Sequence, residues 1–119
     1  LPRVRAIFER WLTWTQCREI GCGCPLHAAA IEFDDRPGKV REHIVAHFER
    51  LQSALERALT IAIGAGDLRA DLDIQQTVFE VLGIIFAYYH NARLLQRPDA
   101  ARRAEAAFAR LLSTAQPAI

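Results

Sequence analysis

Three cysteines and a histidine lie close together near the start of the chain. Cys17, Cys22, Cys24 and His27 form the pattern C-x4-C-x-C-x2-H, and these are side chains of the types that hold a tetrahedral Zn²⁺ ion. The spacing does not match a common zinc module, because the single residue between Cys22 and Cys24 makes chelation by both thiolates awkward. A metal or redox role is one interpretation. We expect instead buried or idle thiols and no bound metal.

Two further histidines and one glutamate stand beside apolar residues. His47 and His90 can each orient a ligand through one ring nitrogen while the protein holds the other, or they can be satisfied or solvent-facing histidines. Glu80 is the only charged residue between Ile74 and Tyr89, so its burial would require a partner such as Arg93 or a ligand amine. An exposed position or a structural ion pair is the simpler interpretation for Glu80.

The sequence carries none of the common catalytic motifs. It contains no GxSxG elbow, no HExxH, no Walker loop, no GxGxxG and no paired carboxylates on one obvious face. An enzyme needs a nucleophile, a base and an orienting group within reach of one another, and scattered His and Cys residues do not supply them. We therefore expect no enzymatic activity and no cofactor.

Composition favours one globular domain. The chain has 119 residues, 51% hydrophobic and 24% charged, and its 15 cations and 14 anions form no basic stripe for nucleic acid. Its longest strongly apolar stretch, residues 81–89, is far shorter than the roughly 20 residues of a membrane-spanning helix. The odd number of cysteines favours a reducing, cytoplasmic location. Because the chain opens with Leu-Pro-Arg and contains no Met, we expect a missing N-terminal segment.

Helical spacing of apolar residues predicts an all-α fold. Glycine and proline interrupt this spacing, and Asp73 followed by Gln76 resembles a capping box at the start of a helix. We find no alternating β-pattern and no internal repeat. The predicted helices cover residues 2–16, 26–33, 37–64, 74–89 and about 99–114.

The segment from Ile74 to Tyr89 has apolar residues all around the helix, so it must be covered on all sides. Five helices cover one of its faces with their own core, and we expect the opposite face to contact a partner subunit. The last helix adds a stripe of small residues that favours close packing. Tyr88 lies either in the subunit interface or, with Tyr89, at the polar entrance of the ligand pocket. The predicted homodimer interface consists of Val78, Val81, Ile85, Tyr88, Ala100, Ala101, Ala104, Ala107, Phe108 and Leu111.

The order of these features resembles the C-terminal, effector-binding and dimerising domain of TetR-type transcriptional regulators. The resemblance is carried by the Gly-Cys turn at residues 21–24, the Ala-rich helix after it, the EFDDRPG break at residues 32–38, and the GDLRADLD connector at residues 66–73. It implies that residues 1–119 form five or six helices, the last two making a four-helix bundle with those of a second copy. It also implies that a helix-turn-helix domain, absent from this chain, binds operator DNA.

In that family a ligand that enters among the helices changes the separation of the two DNA-reading domains, which is a population shift. The resemblance thus implies an apolar or aromatic small molecule as effector of a transcriptional repressor. Two alternatives stay open: a cysteine-based redox or metal sensor, and a purely structural dimerisation module whose core is filled. The candidate pocket residues are Phe8, Trp11, Leu12, Leu26, Ala30, Phe33, His47, Phe48, Leu51, Phe79, Leu82, Phe86 and His90.

Overall fold

A computed structural model of the chain describes residues 1–15 and 25–118, which form five α-helices and contain no strand. The all-α prediction is confirmed, and each predicted helix boundary lies within two residues of the observed one. The cysteines of the predicted thiol cluster fall outside the described residues. The helices are α1 (Pro2–Thr15), α2 (Pro25–Phe33), α3 (Lys39–Gly64), α4 (Ile74–Tyr89) and α5 (Ala100–Ala115).

Glycines and one aspartate set the ends of α3 and the start of α4. Gly38, just before α3, has φ 140° and Gly66, just after it, has φ 83°, both in the region that favours glycine. The Asp67 N–H donates to the Ala62 carbonyl at 2.9 Å, which closes the C-terminal turn of α3. Asp73 Oδ1 then accepts from the Gln76 N–H at 3.0 Å, so the predicted cap of α4 is present.

A π-helical turn, His90–Leu94, follows α4 and was not apparent from the sequence pattern. The chain then reverses through Gln96, whose φ is 52°. At the start of α5 the Arg103 Nε donates to Asp99 Oδ2 at 2.8 Å. This hydrogen bond lowers the pKa of the Asp99 carboxyl, with a further contribution from the positive charges of Arg103 and Arg102. The reversal brings α5 back along α4.

One hydrophobic core joins α1, α3, α4 and α5. The Phe8 ring on α1 stacks on the Phe108 ring on α5, with centroids 4.0 Å apart and an interplanar angle of 10°. The α3–α4 connector is held to this core by Leu68, which is buried, and by the Arg69 N–H, which donates to the Ala115 carbonyl at 2.9 Å. None of the described helices is long and apolar enough to cross a membrane.

Candidate effector site and subunit interface

An aromatic cluster forms around Phe48, where α1, α3 and α4 meet. The Phe48 ring centroid lies 6.4 Å from that of Trp11 on α1 and 6.0 Å from that of Phe86 on α4. His47, its neighbour on α3, lies 5.3 Å away with its ring edge-on to Phe48. The aromatic contacts therefore connect three helices at one point.

Helical spacing explains how these rings converge. Phe48, Leu51 and Leu55 recur every three or four residues and form the face of α3 that packs on the core, and Ile44, one turn before Phe48, is also buried. Leu82 lies one turn before Phe86 on α4 and packs against the same core. Trp11 and Leu55 are buried, whereas the Phe86 side chain is 38% exposed. The cluster therefore extends from the core to the protein surface.

His47 places a polar atom at this apolar cluster. The residue is only half-buried, but its Nε2 exposes less than 1 Å² and has no hydrogen-bond partner among the residues that the structure describes. Burial lowers the pKa of the imidazole, and the nearby positive charge of Arg50 lowers it further. The ring is therefore neutral near pH 7.

A groove of about 380 Å³ separates α2 from α3 beside the same aromatic residue, Phe48. Its floor is apolar, and its rim carries both signs of charge. The Arg41 Nε donates to the Asp34 carbonyl at 3.2 Å, which ties the first turn of α3 to the end of α2. The groove is lined by Ala30, Phe33, Asp34, Arg41, Ile44, Val45, Phe48, Glu49 and Gln52.

The structure brings together most, but not all, of the residues predicted to line a pocket. Phe8 and Leu12 are buried in the core beside Trp11, and Leu51 and Leu82 pack against it. Ala30 and Phe33 lie in the groove between α2 and α3. The side chain of Leu26 is outside the described part of the chain.

Two predicted pocket residues lie elsewhere. Phe79 is 72% exposed, and His90 is exposed at the start of the π-helical turn. Phe79 was predicted to line the pocket because α4 is apolar all round, a pattern that does not indicate which stripe faces inward, and His90 because it stands beside these apolar residues. The structure shows that the stripe containing Val78, Val81 and Ile85 faces the core.

A second, larger groove of about 950 Å³ runs between α4 and α5. Glu80, Ile84 and Ala87, which recur at helical spacing on the α4 side of this groove, were not predicted from the sequence. Charged residues border the apolar centre of the groove. The apolar lining includes Gly83, Ile84, Ala87, Ala107 and Leu111, and the charged lining includes Glu80, Arg97, Asp99, Arg103 and Arg110.

Five of the ten residues predicted for the subunit interface line this groove: Tyr88, Ala100, Ala104, Ala107 and Leu111. Ala107 is exposed, Ala101 and Leu111 are half-buried, and these three keep surface for a partner. Glu80 is exposed at the groove, in agreement with the simpler interpretation of that residue. The remaining members are already buried within a single chain: Val78, Val81, Ile85, Tyr88, Ala100, Ala104 and Phe108.

Within the described ranges, 1–15 and 25–118, no three His, Cys, Asp or Glu side chains are grouped so that they could hold a metal ion. The C-x4-C-x-C-x2-H pattern lies mostly in residues 16–24 and is outside this search. The geometry of the described residues thus offers two grooves and one aromatic cluster as candidate binding features.

Comparison with known families agrees with this arrangement of helices. The family model described as "Tetracyclin repressor-like, C-terminal domain" matches residues 1–108, which is most of the chain and includes α1 to α4 and the start of α5. No curated protein matches the chain. The chain belongs to the family of tetracycline repressor-like C-terminal domains.

Proposed function

We propose that this chain is the effector-sensing and dimerising domain of a TetR-type transcriptional repressor. In this proposal it binds an apolar or aromatic small molecule, and binding changes the affinity of the intact protein for operator DNA. Family membership supports a regulatory role in general. The observation that carries the more specific proposal is the position of Phe48, which belongs both to the aromatic cluster and to the groove between α2 and α3.

The surroundings of Phe48 suit a small apolar ligand. Ligand sites in proteins usually have volumes of about 300–1,000 Å³ and combine apolar walls with a few polar groups. The groove beside Phe48 has a volume of about 380 Å³. Phe33, Ile44 and Val45 supply apolar walls, and the Phe48 ring, which lines the same groove, gives an aromatic ligand a partner for stacking.

The same residue offers a route from the ligand to the dimer. Phe48 contacts Phe86 on α4, and the next residue along α4, Ala87, lines the groove between α4 and α5. A ligand that prefers one position of the Phe86 ring would therefore favour one position of α4, and with it one arrangement of two subunits. Only this difference in affinity between arrangements can shift operator binding.

A second copy of the chain is the occupant that we propose for the groove between α4 and α5. Ile84, Ala87 and Ala107 supply an apolar centre, and the small side chains of Ala87 and Ala107 permit close approach of another pair of helices. Glu80 on α4 and Arg110 on α5 have opposite charges and line the same groove. In a twofold-symmetric dimer Glu80 can face Arg110 of the partner subunit, and Arg110 can face Glu80 of the partner subunit. The surface is then complementary to itself.

Ligand-dependent thermal unfolding tests the effector part of the proposal. Toluene, p-cresol and indole should raise the Tm of the chain, because a ligand that binds only the folded state stabilises it by mass action, by about 2.7 kcal/mol at 100 times Kd. Phe48→Ala should abolish the shift. Ile61→Ala, on the same helix but 54% exposed and away from both grooves, is the control and should keep it.

The same assay distinguishes the alternatives. A redox or metal sensor should respond to hydrogen peroxide or Zn²⁺ and lose the response in Cys22→Ser or Cys24→Ser. A structural module should respond to none of these. If no aromatic compound shifts the Tm, or if Phe48→Ala leaves the shift intact, the proposed effector site is wrong.

A further inference from the structure

Charged side chains border the groove between α4 and α5, and two of them pair with each other inside one chain. The Arg103 Nε donates to Asp99 Oδ2 at 2.8 Å, so these two charges largely neutralise each other. Glu80, Arg97 and Arg110 also line the groove, but none of their side chains forms an ion pair with another residue that the structure describes. Glu80 on α4 and Arg110 on α5 are therefore opposite charges that a second copy can pair.

Glu80 and Arg110 lie at nearly the same height along the two antiparallel helices. The chain reverses between α4 and α5, where the Arg97 N–H donates to the Asn91 carbonyl at 2.8 Å. Glu80 lies eleven residues before Asn91, and Arg110 lies ten residues after the first residue of α5, Ala100. At a rise of about 1.5 Å per residue, both are about 15–17 Å from the reversal. The two charges therefore stand side by side across the groove.

Two twofold arrangements can place a second copy on this groove. If the axis is parallel to the helices, α4 of one copy lies on α5 of the other at the same height, and Glu80 faces Arg110 of the partner subunit. If the axis is perpendicular to the helices and passes through the apolar centre at Ala107, α5 lies antiparallel on α5. Arg103 then approaches Arg110 of the partner subunit, because these residues lie four and three positions on either side of Ala107. The first arrangement joins opposite charges, whereas the second brings like charges together.

We infer that the two copies are related by a twofold axis parallel to α4 and α5, so that α4 of each packs on α5 of its partner and Glu80 pairs with the partner's Arg110. This inference rests on the proposed function, because it concerns the same groove, and it specifies how the second copy is oriented there. The α4 helix carries Phe86, which contacts the effector site through Phe48. A shift of α4 at that site is then passed directly to α5 of the other subunit.

Charge reversal tests the orientation, because the two arrangements predict opposite effects. Glu80→Arg and Arg110→Glu should each raise the Kd of the homodimer about tenfold, since both ion pairs of the dimer become repulsive. An equimolar mixture of the two variants should form a heterodimer with a Kd near the wild-type value, because opposite charges then face each other at both positions. With the perpendicular axis, Arg110→Glu alone would instead lower the Kd, because the new carboxylate would approach Arg103 of the partner subunit. Analytical ultracentrifugation measures each Kd.

Arg102→Glu is the control for reversal of a charge on α5. Arg102 is exposed and does not line the groove, so its reversal should leave the homodimer Kd unchanged, and its mixture with Glu80→Arg should not recover the wild-type affinity. The effects of Glu80→Arg and Arg110→Glu should shrink in 1 M NaCl, where the Debye length is about 3 Å. Tighter dimerisation of Arg110→Glu, or no recovery in the mixture, would overturn the inferred orientation but leave the proposed dimer standing. A monomeric wild-type chain would contradict both.

Cysteine crosslinking tests the same orientation if a charge-reversal variant does not fold. Gly83 and Ala107 both line the groove at nearly the same height, and a Cβ added at Gly83 meets no other atom within 4 Å, so a cysteine fits there. With Cys17, Cys22 and Cys24 replaced by Ser, oxidation of a mixture of Gly83→Cys and Ala107→Cys should join the two variants by a disulfide, identified by mass spectrometry. Ala107→Cys alone should remain uncrosslinked. Self-crosslinking of Ala107→Cys, or no crosslink in a dimeric mixture, would overturn the inference.

Discussion

The Phe48 and Phe86 rings lie 6.0 Å apart between centroids, and this contact joins the N-terminal half of α3 to the C-terminal half of α4. Phe48 also lines the groove between α2 and α3, while α4 lines the groove between α4 and α5. A single ring-to-ring contact therefore lies between the two surfaces that we propose for the effector and for the second subunit. Coupling between those surfaces has a short physical route.

The first prediction concerns the core under the site. Phe8→Ala should lower the free energy of unfolding by about 3–5 kcal/mol, because it removes a ring that is 2% exposed and stacked on Phe108. Urea unfolding followed by circular dichroism measures the change. Phe79→Ala makes the same chemical change at a ring that is 72% exposed and should cost about 0.5 kcal/mol or less. Similar losses in both variants would mean that Phe8 does not have the packing described.

The second prediction concerns the cap of α4. Asp73→Ala should destabilise the chain by about 1 kcal/mol, because it leaves the Gln76 N–H without its side-chain acceptor. Asp71→Ala is the matched control in the same connector, where the Asp71 carboxylate is exposed and pairs with Arg69 at 3.6 Å. Its effect should be smaller, since exposed ion pairs contribute little. Urea unfolding should rank the two variants in this order, and the reverse order would contradict the cap.

The third prediction concerns pH. Burial and the charge of Arg50 lower the pKa of His47 in the folded chain, whereas the unfolded chain titrates near the ordinary value of about 6.5. Below that pH the unfolded state binds more protons, so stability falls as pH drops through 6.5 and levels off below the folded-state pKa. Between about pH 7.5 and 5.5, the loss of unfolding free energy should be smaller in His47→Gln than in the wild type. Equal losses would contradict a buried, neutral His47.

The fourth prediction concerns the subunit interface. Ala107→Glu should convert a dimer into a 13.4 kDa monomer in light scattering, because it places a carboxylate in the apolar centre of the groove between α4 and α5. Ala106→Glu is the control: Ala106 is also exposed but does not line the groove. It should leave the mass at twice that value. A monomeric wild type, or equal dissociation by both variants, would place the interface elsewhere.

The sequence predicted the helices well because their signals are local. The spacing of Ile44, Phe48 and Leu51, the cap at Asp73 and the break at Gly64 all act within a few residues, and the structure has each of them. The family resemblance, carried by the motifs around these helices, is also confirmed.

The site was harder to predict because it depends on which helix faces meet. The periodicity of α4 does not distinguish the core stripe, with Ile85, from the groove stripe, with Ile84 and Ala87. Phe79 was therefore predicted to line a pocket although it is exposed. The unpaired Nε2 of His47 has no sequence signal, because it depends on neighbours that are distant along the chain.

The most direct test of the central claim is a crystal structure of the chain soaked with 4-bromophenol, in which the bromine is located by its anomalous scattering. We expect a bromine peak beside Phe48, with the phenol ring within about 4 Å of the Phe48 ring. Bromine found only in the groove between α4 and α5, or nowhere on the protein, would contradict an aromatic effector site at Phe48.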